Sequence, residues 1–208
     1  MTLPRYDITG EIGEGDATGA AVGRFCDENP GPLEVVINSF GGIASEGAAI
    51  FAALERHGRA TAIVQGVAAS AASLAMLGAR QVLIADSAMV MLHEPGAVAF
   101  GTSGDMRAMA DTLEKMTGVY AAIYSRATGN PIPWVEGWMR DETWLTASEA
   151  VALHFADGIL SAERAAPVVA AAFDYRKFKA APPELVALAL KNGWAAEPSK
   201  PLKKEKTE

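Results

Sequence analysis

The sequence predicts an α/β fold, and three observations carry that reading. From the start to about Leu160, short runs rich in Val, Ile and Leu alternate with Ala-rich stretches of helical period, as repeated strand-helix units require. Most of the short runs are apolar throughout, as expected of strands covered on both faces. Across 208 residues, half are hydrophobic and 21% are charged, an ordinary balance for a globular protein although Ala is unusually abundant. That length suits one large domain or two small ones with a sizeable core.

In chain order, strands are predicted at Tyr6 to Ile12, Leu33 to Asn38, Ala60 to Val67, Gln81 to Ala85, Met89 to Leu92, Thr143 to Leu145 and Gly158 to Leu160. Helices fit between them at Ala17 to Glu28, Ser45 to His57, Ala71 to Leu77, Ser103 to Ala127, Pro133 to Arg140 and Ala147 to His154. Two helices carry explicit start signals. Thr102 with Asp105, and Thr146 with Glu149, have the spacing in which a hydroxyl caps the third helical amide while a carboxylate reaches back. The long helix carries Met106, Met109, Ala110, Leu113, Met116, Tyr120 and Ile123 at three- and four-residue steps. Such a stripe reads first as core packing and second as a subunit interface. After about Asp174 the chain turns to Pro182-Pro183, Pro198, Pro201 and a Lys/Glu end. One short helix is expected at Glu184 to Lys191, and disorder beyond it. The domain boundary therefore falls between residues 1–173 and a tail of 174–208, and no internal repeat is visible.

Composition narrows the function classes. The one cysteine, Cys26, cannot form an internal disulfide and reads as a small core residue in a reducing compartment. No signal peptide opens the chain and no apolar run is long enough for a membrane span, so a cytosolic protein is expected. Residues 1–175 hold 10 Lys/Arg against 21 Asp/Glu, whereas residues 176–208 hold 8 against 4. An acidic body speaks against a nucleic-acid groove, which needs a basic surface. The basic end is most simply solvated. No His/Cys/Asp cluster has ligand spacing, so neither metal nor organic cofactor is expected.

Chemistry is concentrated in four places. Asn38-Ser39-Phe40-Gly41-Gly42 follows a strand and precedes a helix. Its adjacent glycines allow close backbone approach to a ligand and amides aimed at negative charge, or they make an ordinary tight turn. Neither a phosphate-loop pattern nor a G-x-G-x-x-G is present. In Gly66-Val67-Ala68-Ala69-Ser70-Ala71-Ala72-Ser73 a buried strand runs into a helix of small side chains. Ser70 at that junction is either a nucleophile at the positive end of the helix dipole or a helix cap. Of the three histidines, His57 and His154 end helices, while His93 sits where an apolar strand opens into the loop Glu94-Pro95-Gly96. Such a position suits a general base or a hydrogen-bonded structural residue. A carboxylate to orient the imidazole would come from Asp141 or Glu142; side chains of neighbours on extended chain point oppositely, so only one can face His93. As loop charges, both have a plainer explanation.

Together these segments resemble the Clp protease proteolytic subunit family. Ile37-Asn38-Ser39-Phe40-Gly41-Gly42, Gly66 to Ser73 and Met91-Leu92-His93-Glu94-Pro95 look like its oxyanion, nucleophile and histidine motifs. Glu142 to Val151, followed by Phe155-Ala156-Asp157, resembles its third-member segment. Four motifs in the right order over roughly residues 5–165 are specific where each singly is weak. The wording is closest to the ClpP-like head-maturation (prohead) proteases of tailed phages and prophages, with their A-A-S-A-A-S-like and E-T-W-F-T-A-E-E-A-like stretches.

The resemblance implies a serine endopeptidase on a ClpP/crotonase-like spiral of strand-helix units, with an inserted helical handle at about 102–140. It implies Ser70 as nucleophile, His93 as general base and acid, and the amides of Gly42 and Ala71 as oxyanion hole. Glu142 falls on the position where the housekeeping enzyme has Asp, with Asp141 as the alternate third member. Phe40 and Ala72 also depart from the housekeeping pattern, which has Pro and Gly there. Partners implied are protein substrates, scaffold or capsid precursors in the phage subgroup, and further copies of the chain in a ring built through the handle. The chain opens almost at its first strand, without the leading segment through which the housekeeping subunit meets its ATPase, which speaks against an ATPase-dependent role. The rival readings are an ATPase-fed Clp subunit, a crotonase relative acting on acyl-CoA, and a catalytically degenerate ring subunit.

Overall fold

A computed structural model describes residues 2–160 and 174–193. The chain divides into two compact units, Met1–Ala171 and Ala172–Glu208. In the first, seven strands form one sheet: β1 (Arg5–Thr9), β2 (Leu33–Ser39), β3 (Ala60–Ala69), β4 (Gln81–Ala85), β5 (Met89–Leu92), β6 (Thr143–Thr146) and β7 (Gly158–Leu160). The helices are α1 (Gly19–Glu28), α2 (Ala44–His57), α3 (Ala71–Met76), α4 (Ser103–Thr128), α5 (Ile132–Arg140) and α6 (Ala147–Ala152). The described part of the second unit holds a 3-10 turn at Tyr175–Lys177 and helix α7 (Pro183–Lys191). The disorder expected of the Lys/Glu end falls on residues outside those described.

The main path of the sheet runs β1-β2-β3-β4-β7, all parallel. β3 is where the sheet forks: Thr61–Val64 pair with β4, and Val67–Ala69 pair with β5. β5 then pairs antiparallel with β6, Leu92 opposite Thr143. The fork needs extra chain on one side. Ile37 lies opposite Val64 but Ser39 opposite Ala68, so four steps along β3 answer two along β2. Asn38 meets the interruption by accepting the Val67 amide on its Oδ1 at 3.2 Å. A bulge of this kind re-aims the strand, and here it delivers the end of β3 to the candidate site.

Side-chain alternation assigns the faces. Val35 and Ile37 of β2, Ala62 and Val64 of β3, and Ile50 and Leu54 of α2 share the large core, which also takes in Cys26 as expected. Val36, Ile63 and Leu160 form a smaller buried cluster with Leu83 packed against it.

Some expectations need correction. β1 stops at Thr9 instead of running to Ile12, because the chain turns at Gly10, whose carbonyl is held by the Ser39 hydroxyl at 2.6 Å. Ile12 re-enters only as a single bridge to Gly42. α1 starts two residues later than expected because Thr18 is its cap, accepting the Ala21 amide. α6 ends at Ala152 instead of His154, which lies beyond the helix in a left-handed conformation. Core packing accounts for only the inner part of the methionine stripe: Tyr120 is buried in the core with Met116 and Ile123 packed against it, but no residue of α4 from Ser103 to Val119 is fully buried within the chain.

Candidate active site

Ser70 occupies the N-cap position of α3, but its side chain makes no cap hydrogen bond. Its backbone lies at φ 55°, ψ −125°, a conformation that costs a non-glycine residue about 1–3 kcal/mol and persists only where the surroundings impose it. One imposing contact is the Ser70 amide, which donates to the Met91 carbonyl at 2.8 Å and so extends the β3–β5 ladder by one step. His93 lies two residues beyond Met91. Its Nε2 comes within 2.7 Å of the Ser70 Oγ. With the ring proton on Nδ1, the serine hydroxyl donates to Nε2, and the imidazole is poised to accept its proton.

The β5–β6 pairing fixes where the carboxylates go. Leu92 faces Thr143 as the last pair of the antiparallel register, so Glu142, in the turn that leads into β6, and His93, just past β5, both adjoin the same end of the ladder. Glu142 is buried, with 7% of its surface exposed. Asp141 is exposed and ends α5, its amide donating to the Gly137 carbonyl at 3.0 Å. Among the described residues, positive φ outside glycine occurs at Ser70, Glu142 and His154. Two of these three are candidate site residues, and strained backbone of this kind gathers at functional sites.

The glycine loop approaches from β2. A Cβ on Gly41 would lie 2.7 Å from both the Ala69 carbonyl oxygen and the Ser70 Cβ, so only glycine lets the loop come this close to the serine. Of the loop amides, that of Gly41 donates to the Ser39 Oγ at 3.1 Å and that of Ile43 to the Ile12 carbonyl at 2.8 Å. Neither bond uses the Gly42 amide. On the other side of Ser70, Ala71 opens α3 and lines the same cleft as Ser70 and His93, walled by Ala44, Leu74, Pro95 and the rings of Tyr120 and Tyr124. Its free volume, about 20 Å³, is about that of one water molecule.

The other histidines are structural: His57 Nε2 meets the Asn29 carbonyl at 3.0 Å and His154 Nδ1 the Thr128 carbonyl at 3.2 Å. Four polar residues at the site have roles that motif reading did not assign. Asn38 and Ser39 hold the loop and the bulge. Ser73 and Tyr124 are buried against the Ser70 carbonyl. For Ser73 the signal was there, a hydroxyl in a helix otherwise made of Ala, Leu and Met. Among the described residues no group of three His, Cys, Asp or Glu is placed to hold a metal ion, and no helix is long and apolar enough to cross a membrane.

A largely parallel sheet here brings a serine hydroxyl to an imidazole at a strand-helix junction, a pairing that serine hydrolases in general use for nucleophile and base. Comparison with known proteins gives the family. The Clp protease family model matches residues 26–163, and the chain belongs to that family. The ATP-dependent Clp protease proteolytic subunit 1 of Protochlamydia amoebophila is 30% identical over 139 residues, covering 64% of this chain and 68% of its own. The protein of the same name from Chlamydia trachomatis is 31% identical over 138 residues, covering 64% and 72%. Among solved structures, a ClpP1 point mutant from Listeria monocytogenes superposes with a TM-score of 0.65 at 20% identity, covering 76% of this chain and 91% of that one. That likeness establishes the mixed α/β fold.

Proposed function

We propose that this Clp-family protein is a serine endopeptidase that cleaves protein substrates through an acyl-enzyme. Ser70 attacks the scissile carbonyl as His93 takes its proton, and the Gly42 and Ala71 amides receive the oxyanion. His93 then protonates the leaving amine, and water repeats the sequence to release the acyl group. Glu142 keeps the imidazole oriented and stabilises its protonated form. The observation that carries this reading is the 2.7 Å approach of Ser70 Oγ to His93 Nε2, made by a serine freed from helix capping. Incubation with a fluorophosphonate, followed by peptide mass mapping, is expected to place the adduct on Ser70 and to give none in Ser70→Ala. Intact protein that never reacts would support the degenerate ring subunit instead.

Within this activity, the wording of Ala68 to Ser73 and of Glu142 to Ala150 supports a head-maturation role with scaffold or capsid precursors as substrates. The relatives, named as ATP-dependent proteolytic subunits, support the alternative of an ATPase-fed subunit. Cleavage of unfolded or scaffold-type protein at a rate indifferent to ATP and a Clp ATPase favours the first; ATP-stimulated degradation of folded protein favours the second. In either, the exposed outer part of α4 supplies the surface for ring assembly, with Met106 at its start and Val119 at its end.

A further inference from the structure

The buried hydroxyls of Ser73 and Tyr124 have no place in the mechanism just given, yet both lie on the nucleophile's own peptide. Ser73 Oγ donates to the Ser70 carbonyl at 2.7 Å, and Tyr124 reaches Ser73 Oγ at 2.8 Å and the same carbonyl at 3.5 Å. The hydroxyl proton of Ser73 is spent on that carbonyl, so in the Ser73–Tyr124 contact the phenol is the donor. Burial pushes the Tyr124 phenol well above its ordinary range, which keeps it protonated at every working pH.

The carbonyl of Ser70 and the amide of Ala71 belong to one planar, trans peptide, so they point in opposite directions. Whatever grips the carbonyl aims the amide. Rotating this peptide would turn the Ala71 N–H away from the cleft; the Ser73 and Leu74 amides, which also donate to this carbonyl at 3.0 and 3.3 Å, resist that rotation together with the two hydroxyls. The left-handed φ of Ser70 makes the orientation one that local preference does not choose. We propose that Ser73 and Tyr124 are positioning residues that clamp the Ser70–Ala71 peptide with its N–H toward the substrate, making the inner end of α4 part of the oxyanion machinery. This rests on the proposed acyl-enzyme function and adds to it the means by which one donor is held. A serine bonding back three residues within a helix can be purely local; the tyrosine arriving from another helix is what makes this a clamp.

The test uses the full-length protein, a fluorogenic peptide substrate and a peptide boronate whose tetrahedral adduct occupies the oxyanion site. Deleting an oxyanion donor typically costs about 100- to 1,000-fold in rate, and misaiming one is expected to cost about 10- to 100-fold. Ser73→Ala and Tyr124→Phe should each lower kcat by that factor with KM within about twofold of the parent, and weaken the boronate in parallel. The double variant should be little worse than Ser73→Ala, because the two hydroxyls act in series. Ser73→Thr should recover most of the rate. Variants that keep the parent kcat, or that lose kcat only together with KM and thermal midpoint, overturn the clamp. If Ser73→Ala does not fold, Tyr124→Phe, which removes a single oxygen, decides the matter by the same criteria. Parent protein that fails to label at Ser70 overturns the proposed function and the clamp with it, whereas a labelled parent with unaffected variants overturns the clamp alone.

Discussion

Two strand-to-helix junctions in this chain begin with the same chemistry and use it oppositely. Where β6 runs into α6, Thr146 sits at φ −64°, ψ 167° and closes a capping box with Glu149. Its hydroxyl accepts the Glu149 amide, and the Glu149 carboxylate accepts the Thr146 amide at 2.8 Å. Where β3 runs into α3, Ser70 sits at φ 55°, its hydroxyl turns to His93, and its amide is taken by β5. The third helical residue is then no carboxylate but Ser73, which donates to the cap residue's carbonyl. One junction uses a hydroxyl to stabilise a helix; the other withholds it from the helix and presents it to an imidazole. A serine at a helix start is a functional candidate when its own amide is taken by a neighbouring strand and its hydroxyl makes no cap bond.

The sharpest way to break that contrast is Ser70→Gly. Turnover and fluorophosphonate labelling should vanish, while urea unfolding should show a gain of about 1 kcal/mol, because glycine tolerates the positive φ. A loss of stability like that of a removed cap would instead make Ser70 a structural hydroxyl. Gly41→Ala should follow in size. Its methyl would press on Ser70 Cβ and the Ala69 carbonyl, both at 2.7 Å, so activity should fall by at least about 100-fold. An unaffected rate would show that the loop need not approach the serine.

The third-member assignment sharpens the picture next. Glu142→Gln should lower kcat by about 100- to 10,000-fold, since the imidazole loses its orienting charge. Asp141→Asn should leave kcat within about twofold of the parent, its residue being exposed at the end of α5. The reverse pattern in steady-state kinetics would transfer the role to Asp141. The smallest effect belongs to the ordinary junction: Thr146→Ala should cost about 1 kcal/mol in thermal or urea unfolding and leave kcat near the parent value. That increment should also depend on acid. Hydrogen bonds from the Thr146 hydroxyl and amide hold the Glu149 carboxyl below its ordinary pKa. The carboxylate's contribution is therefore complete above the ordinary glutamate value of about 4.3 and is lost as pH falls through the lower folded value. Parent and Thr146→Ala midpoints should draw closer below that range without coinciding, because the Glu149 amide's bond to the Thr146 hydroxyl does not titrate.

Much of this was legible in the sequence because local signals and global fold agree. Both capping boxes form as the Thr102–Asp105 and Thr146–Glu149 spacings require. β4, β5 and β7 have the predicted bounds. Strand position alone left Ser70 and His93 with plainer readings, and it was the family resemblance that implied them as partners; their side chains meet at 2.7 Å. What stayed hidden was long-range. The early end of β1 depends on Ser39 holding a carbonyl 29 residues away. The exposure of outer α4 follows from how far that helix leaves the core, which its period cannot report. Neither positive φ at Ser70 and Glu142 nor the grip of Tyr124 on a peptide 54 residues earlier has a signature in local propensity.

The antiparallel pairing of β5 with β6 has a consequence for how such a molecule can diversify. The excursion from residue 93 to residue 142 leaves and returns at neighbouring positions of one ladder. Its ends are already joined, so lengthening or rewriting the far turns of α4 adds little closure entropy and leaves the imidazole undisturbed. The stretch around Tyr124, and Val135 and Met139 of α5, which lie in the core, are barred from such drift. Lineages built on this frame can therefore rewrite the outer turns of α4 while Ser70 and His93 stay put.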